Sequence, residues 1–141
     1  IDYDNDTATA TPKGPLSSAR SYISSTGNQS YGYWGGGLPE NAPGTEYSTI
    51  DRVDYSNDTA TAVVKGPLST TKAMGGATGN IDFGYFVGDY PSGGQPIKST
   101  VDRIDFSNDT ATTTVRGNIS RQVYALSAFS GGANALPQFG G

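Results

Sequence analysis

A twelve-residue string occurs twice in this chain almost unchanged, and a shortened third copy opens it. Ile50-Asp51-Arg52-Val53-Asp54-Tyr55-Ser56-Asn57-Asp58-Thr59-Ala60-Thr61 returns as Val101-Asp102-Arg103-Ile104-Asp105-Phe106-Ser107-Asn108-Asp109-Thr110-Ala111-Thr112. The opening copy is Ile1-Asp2-Tyr3-Asp4-Asn5-Asp6-Thr7-Ala8-Thr9. Tyr3, Tyr55 and Phe106 are equivalent and fall 52 and then 51 residues apart. A period of this size means one supersecondary unit that buries itself by stacking on its neighbours, as in a propeller or solenoid. Proteins built so use a repeated scaffold and its loops for binding or assembly.

The local patterns are those of strands. Apolar residues do not recur at helical spacing, and Gly, Thr, Ser and β-branched residues fill the windows. Ser99 to Phe106 and Thr110 to Val115 flank Ser107-Asn108-Asp109, which reads as a hairpin around an Asn/Asp turn. Ser48 to Val64 and Ile1 to Thr11 are its counterparts. A link follows, Gly14-Pro15-Leu16-Ser17 or Gly66-Pro67-Leu68-Ser69, degraded to Gly117-Asn118-Ile119-Ser120. Next come a small-residue strand (Ser21 to Thr26, Ala73 to Thr78) and a Gly-Asn turn (Gly27-Asn28, Gly79-Asn80). An aromatic strand then runs over Tyr31 to Gly36 or Phe83 to Gly88. Each unit is thus expected to be four short antiparallel strands, with Ala60 and Ala62 on one face of the outer strand and Thr59 and Thr61 on the other. The units divide as a partial one over 1–19, full ones over 20–71 and 72–120, a partial one over 121–129, and a tail over 130–141.

With no Cys and no His among 141 residues, disulfides, thiolate or imidazole metal sites and Ser-His-Asp or Cys-His catalysis are ruled out. Lys13, Lys65, Lys72 and Lys98 sit in no recognisable catalytic motif. A carboxylate pair for glycoside cleavage is the remaining catalytic alternative; the expectation is a protein that is not an enzyme and needs no cofactor. Nine basic residues placed singly in a chain of net charge −4 form no nucleic-acid footprint. No stretch is long and apolar enough for a membrane span. The chain does not begin with Met and reads as processed or as a piece of something longer.

Four groups of residues are candidates for a role. Asp2, Asp4 and Asp6 alternate as ligands of Ca²⁺ do, with Asp54, Ser56 and Asp58 repeating the spacing. The Gly and distal Glu of a Ca²⁺ loop are missing, and Asn and Asp also build turns by bonding their own backbone. Arg52 with Asp54, and Arg103 with Asp105, read as structural ion pairs between units, as do Arg20 and Lys72; a ligand-binding Arg is the alternative. Tyr31, Tyr33, Trp34, Phe83, Tyr85 and Phe86 read as core, or else as a sugar-stacking platform. Finally, the connections 38–47 and 89–98 share length but not residues. Divergent loops on one rim are where recognition is built, which singles out Glu40, Asn41, Glu46, Tyr47, Asp89, Tyr90 and Gln95.

The order of these elements resembles the kelch repeat. Gly35-Gly36 stands for its glycine doublet, Tyr55 or Phe106 for its aromatic, Ser56-Asn57-Asp58 for its turn and Gly66-Pro67-Leu68 for its link. Arg20 falls at the family's Arg, which Lys72 replaces in the next unit. The Trp that opens the family's outer strand is absent, and the second doublet reads Val87-Gly88. The wording of the repeats further resembles kelch-like proteins of marine cyanophages and related phages, over nearly the whole chain up to about Ala128. That resemblance implies an all-β chain of tandem four-stranded blades, about three of them, whereas closed propellers have about 4–8. The ring would be completed by self-association or by the remainder of a longer chain. A β-trefoil, also three four-stranded repeats, is the alternative fold. It further implies a structural or adhesive module of a virion or tail, touching a host glycan or other virion proteins. The alternative role is an extracellular bacterial lectin-like or self-assembling scaffold protein.

Overall fold

The computed structural model describes residues 7–40, 44–90 and 96–128. The opening segment with Asp2, Asp4 and Asp6, the loop residues Asn41 and Gln95, and the tail over 130–141 lie outside them. The described chain is all-β. Ten strands run in order: β1 (Arg20–Ser21), β2 (Ser24–Gly27), β3 (Tyr31–Gly35), β4 (Leu38–Pro39), β5 (Ile50–Asp54), β6 (Val63–Val64), β7 (Gly76–Gly79), β8 (Phe83–Val87), β9 (Thr100–Asp105) and β10 (Thr114–Asn118). They form two four-stranded antiparallel sheets, β2-β3-β5-β6 and β7-β8-β9-β10, and a small β1-β4 ribbon. Neither four-stranded sheet closes on itself.

Both large sheets are simple meanders, and their registers are copies. Tyr33 opposes Arg52 and Trp34 opposes Asp51, just as Tyr85 opposes Arg103 and Phe86 opposes Asp102. The first hairpin of each turns on an Asn. Asn28 Oδ1 accepts from the N–H of Ser30 and Tyr31 at 2.9 Å, and Asn80 Oδ1 does the same for Asp82 and Phe83. After β5 and β9 the chain makes one turn of 3-10 helix, Tyr55–Asn57 and Phe106–Asn108. Asp54 and Asp105 cap these turns, each accepting from the N–H and O–H of the Ser two residues on.

The outer strands begin later than the sequence pattern indicates. β10 starts at Thr114 and β6 at Val63. Residues just before them serve instead as the landing for the link of the preceding unit. Gly14 N–H donates to the carbonyl of Asp58 and Gly66 N–H to that of Asp109, at 2.7 and 2.8 Å. A Cβ at either glycine would fall about 2 Å from the carbonyl of Ala60 or Ala111, so only Gly lets the two backbones approach. Ala60 and Ala62 both precede β6, one exposed and the other buried, which corrects the expectation that they lie on one face of the outer strand.

The sheets meet through equivalent edge strands, β2 against β7, with Thr26 Oγ1 donating to the carbonyl of Thr78 at 3.0 Å. Between them lies the core: Tyr33, Ile50, Leu68, Ala77, Phe86 and Ile104, with Tyr31 and Phe106 packed on its edge. Each bulky member contributes about 1.5–3 kcal/mol by leaving water. Phe86 is admitted by a missing side chain in the neighbouring sheet, since a Cβ on Gly35 would lie 2.7 Å from its ring. The repeat continues into a third unit. Tyr22, Met74 and Ala125 are equivalent, all take left-handed backbone (φ 56°, 53° and 56°), and hydrogen-bond in series, Met74 N–H to Tyr22 and Ala125 N–H to Met74.

Candidate functional site

The most elaborate polar cluster joins one unit to the next. Asp109, in the turn after β9, is buried at 6% exposure and receives three donors from the preceding unit. Arg52 Nη1 donates to its Oδ2 at 2.7 Å, Tyr33 Oη donates to the same oxygen at 3.0 Å, and Lys65 Nζ lies 3.1 Å from Oδ1. The sheet holds these donors in place: Tyr33 and Arg52 are cross-strand partners, and Lys65 leads into the Gly66 link. Arg52 also stacks over the Tyr31 ring at 4.2 Å, and Tyr33 stacks on Phe106 with centroids 4.8 Å apart. Burial and the neighbouring carboxylate push the Tyr33 hydroxyl far above its ordinary range. Desolvation works against the Arg52 charge, but the attraction of Asp109 outweighs it and the guanidinium is held above its ordinary value.

Equivalent positions in the flanking units hold parts of this lock. Asp58, the counterpart of Asp109, pairs with Lys13 at 3.1 Å, and both side chains are well exposed (37% and 54%). Arg103, the counterpart of Arg52, stacks over Phe83 at 4.2 Å just as Arg52 does over Tyr31. Among the described residues Arg103 has no carboxylate partner, and its Nε is buried without an acceptor. The ion pairs expected from sequence are therefore corrected in their partners. Arg52 reaches Asp109 across the unit boundary, whereas Asp54 and Asp105 are turn caps. Their own hydrogen bonds from Ser56 and Ser107 hold both carboxyls below the usual range.

A second pair of ion pairs lies inside the units rather than between them. Arg20 meets Asp51 at 2.9 Å with both side chains fully buried, and its Nε donates to the Gly36 carbonyl at 2.8 Å. Lys72 takes the same place in the next unit, 3.7 Å from Asp102 and hydrogen-bonded to Thr100 at 2.6 Å. Desolvation pulls the Lys72 ammonium below its ordinary value against the pull of Asp102. These pairs fasten the start of each unit to its own third strand.

The divergent connections are knitted together. Lys98 lies 3.0 Å from Asp89 and 3.7 Å from Glu46, and the two acids are almost fully buried, at 1% and 6%. Thr71 Oγ1 donates to Glu46 and the Asp89 carboxylate accepts from the Ala73 N–H. Glu46 and Asp89 are thus occupied internally, which corrects their placement as rim groups open to a ligand. Tyr90 packs edge-on against Tyr124 at 5.5 Å, Tyr47 is half-buried, and Glu40 is exposed. Shallow hollows recur beneath the two 3-10 turns, one beside Arg52 and Asp54, the other beside Arg103 and Asp105. No three acidic side chains converge among the described residues.

Reading the sequence missed Asp109, Lys65 and Tyr33 as a unit. The signal was present: the Asp of each turn and the Lys before each link recur in register (Asp6, Asp58, Asp109; Lys13, Lys65), while the loops around them drift. No protein-family model matches the chain. No curated protein matches it either.

Proposed function

We propose that this chain is a structural or adhesive repeat module of the β-propeller type, its four-stranded sheets being blades of kelch-like design. One observation carries the reading: the largest cluster of buried polar side chains among the described residues is spent in joining strand to strand and unit to unit. That cluster is Asp109 with Arg52, Tyr33 and Lys65. Sequential meanders that meet through equivalent edge strands support blades over the lobes of a trefoil. The sequence resemblance supports a place in a phage virion or tail, where exposed positions such as Glu40 would meet a host glycan or a neighbouring virion protein. Mass spectrometry and electron microscopy of purified particles test this. Presence in stoichiometric amount is expected, and absence from the particle would refute the assignment. The unfilled Arg103 favours a second reading, an extracellular self-assembling scaffold. Assembly by the purified chain in the absence of any other protein is the result that separates the two.

A further inference from the structure

The lock around Asp109 has a counterpart in which the donor residues recur and no carboxylate is found among the described residues. Arg103, Tyr85 and Arg116 occupy the positions of Arg52, Tyr33 and Lys65 in the following unit. Arg103 and Tyr85 oppose each other across β8 and β9 as their counterparts do across β3 and β5. Arg103 keeps its stacking on Phe83, yet its Nε is buried with no acceptor among the described residues. Leaving such a donor unpaired is unfavourable, and a carboxylate is its natural complement. The link beside it tells the same story. A Cβ on Gly14 or Gly66 would strike the backbone of the next unit, whereas one on the equivalent Gly117 meets nothing within 4 Å among the described residues.

Between Asp109 and Gly141 the sequence holds no Asp or Glu that could supply this carboxylate. It exists at the other end. Asp6 is the sequence equivalent of Asp58 and Asp109, within the same Asn-Asp-Thr-Ala string. Asp58 is a poorer candidate, because Lys13 and the Gly14 link already occupy the side from which a receptor's Arg116 and Gly117 would approach.

We propose that Arg103, Tyr85 and Arg116 form a receptor for the Asn5-Asp6-Thr7-Ala8 segment of a second copy of this chain, giving head-to-tail association. The Asp6 carboxylate then takes the place that Asp109 has inside the chain, and Gly117 lies against the backbone near Ala8. The interface is heterologous, so it closes into a ring or runs on as a filament. This rests on the structural-module reading but is tested apart from it.

The experiment uses the purified chain in sedimentation velocity over a concentration series, with Trp34 fluorescence confirming the fold of each variant. Association is expected in the unaltered chain, weakening as salt is raised. D6A and R103M should each weaken it by about thirtyfold or more, and R103K should retain part of it. D58A should leave it unchanged. Mixing D6A with R103M leaves one intact interface and should give a dimer and nothing larger. The proposal is overturned by a chain that stays monomeric throughout, by an oligomer indifferent to D6A and R103M, by a D58A variant that dissociates, or by a mixture that does not pair. None of those results bears on whether the chain is found in virions.

Discussion

Replacing the same residue at two equivalent positions separates the role of the inter-unit lock from the chemistry of an aspartate. In D109A the Arg52 and Lys65 charges and the Tyr33 hydroxyl lose their shared acceptor. Removing one partner of a buried ion pair costs about 3–5 kcal/mol. Solvent reaches Arg52 and Lys65, whose side chains are 24% and 12% exposed, while the Asp109 side chain alone is at 8%. That lowers the expectation to about 2–4 kcal/mol. In D58A the pair lost is the open one with Lys13, at 54% and 37% exposure. Exposed pairs contribute about 0.2–1 kcal/mol.

Urea unfolding at low protein concentration reads the difference. Trp34, the sole tryptophan, reports the first large sheet and far-ultraviolet circular dichroism reports both. With a slope of about 2 kcal/mol per molar urea, D109A should lower the midpoint by about 1–2 M and D58A by less than about 0.5 M. The two signals should coincide in the unaltered chain, because the core runs through both sheets. If D109A shifts the midpoint no further than D58A, the lock does not hold the units together and the energetic reasoning fails.

Three other outcomes follow from the structure. G35A should destabilise by about 1–3 kcal/mol, because the new methyl falls 2.7 Å from the Phe86 ring; an unchanged melting temperature would mean the sheets slide freely. Tyr33 holds its proton more tightly folded than unfolded, so its contribution is complete below an unfolded value of about 10 and is lost as pH climbs through the higher folded one. Stability measured against pH should therefore fall above about 10, and Y33F should flatten that slope. Asp54 and Asp105 have the opposite sign: their folded values are depressed, so their contribution is present above about 3.9 and is lost as pH falls through the folded value. The double variant D54N/D105N, which keeps an oxygen for each Ser, should unfold less steeply in acid than the unaltered chain.

The meander of each unit was legible because strand identity is local. Alternating small and aromatic residues, Asn at the turns and a 52-then-51 period suffice to place β2, β3 and β5 and their copies. The partners of the charged residues were not legible in the same way. Arg52 and Asp54 are neighbours in sequence, and on that basis they read as a pair. Residues two apart on a strand share a face, but Asp54 already has a nearer donor in Ser56, so Arg52 is free to reach Asp109, 57 residues away. The loops failed as a guide for a related reason. Glu46, Asp89 and Lys98 differ between copies because they compensate one another across the two connections, which looks like the variation of an open recognition surface until burial is known.

The polar contacts also give the stack a direction. The lock takes its arginine, tyrosine and lysine from one unit and its carboxylate from the next, and Gly14 and Gly66 each lie on the turn of the unit that follows. Apolar packing alone would tolerate a slipped or reversed neighbour, since Ile, Leu and Phe of similar size fit several ways. A buried carboxylate with three donors does not, because any other register leaves charges in the interior without partners. We read the lock as a device for register first and stability second. A double-mutant cycle should separate the two: if D109A and R52M together keep a single cooperative transition and the native register, apolar contacts alone set the order of units. If register is lost while compactness survives, the charged residues set it, and the ends of the stack are unlike for the same reason.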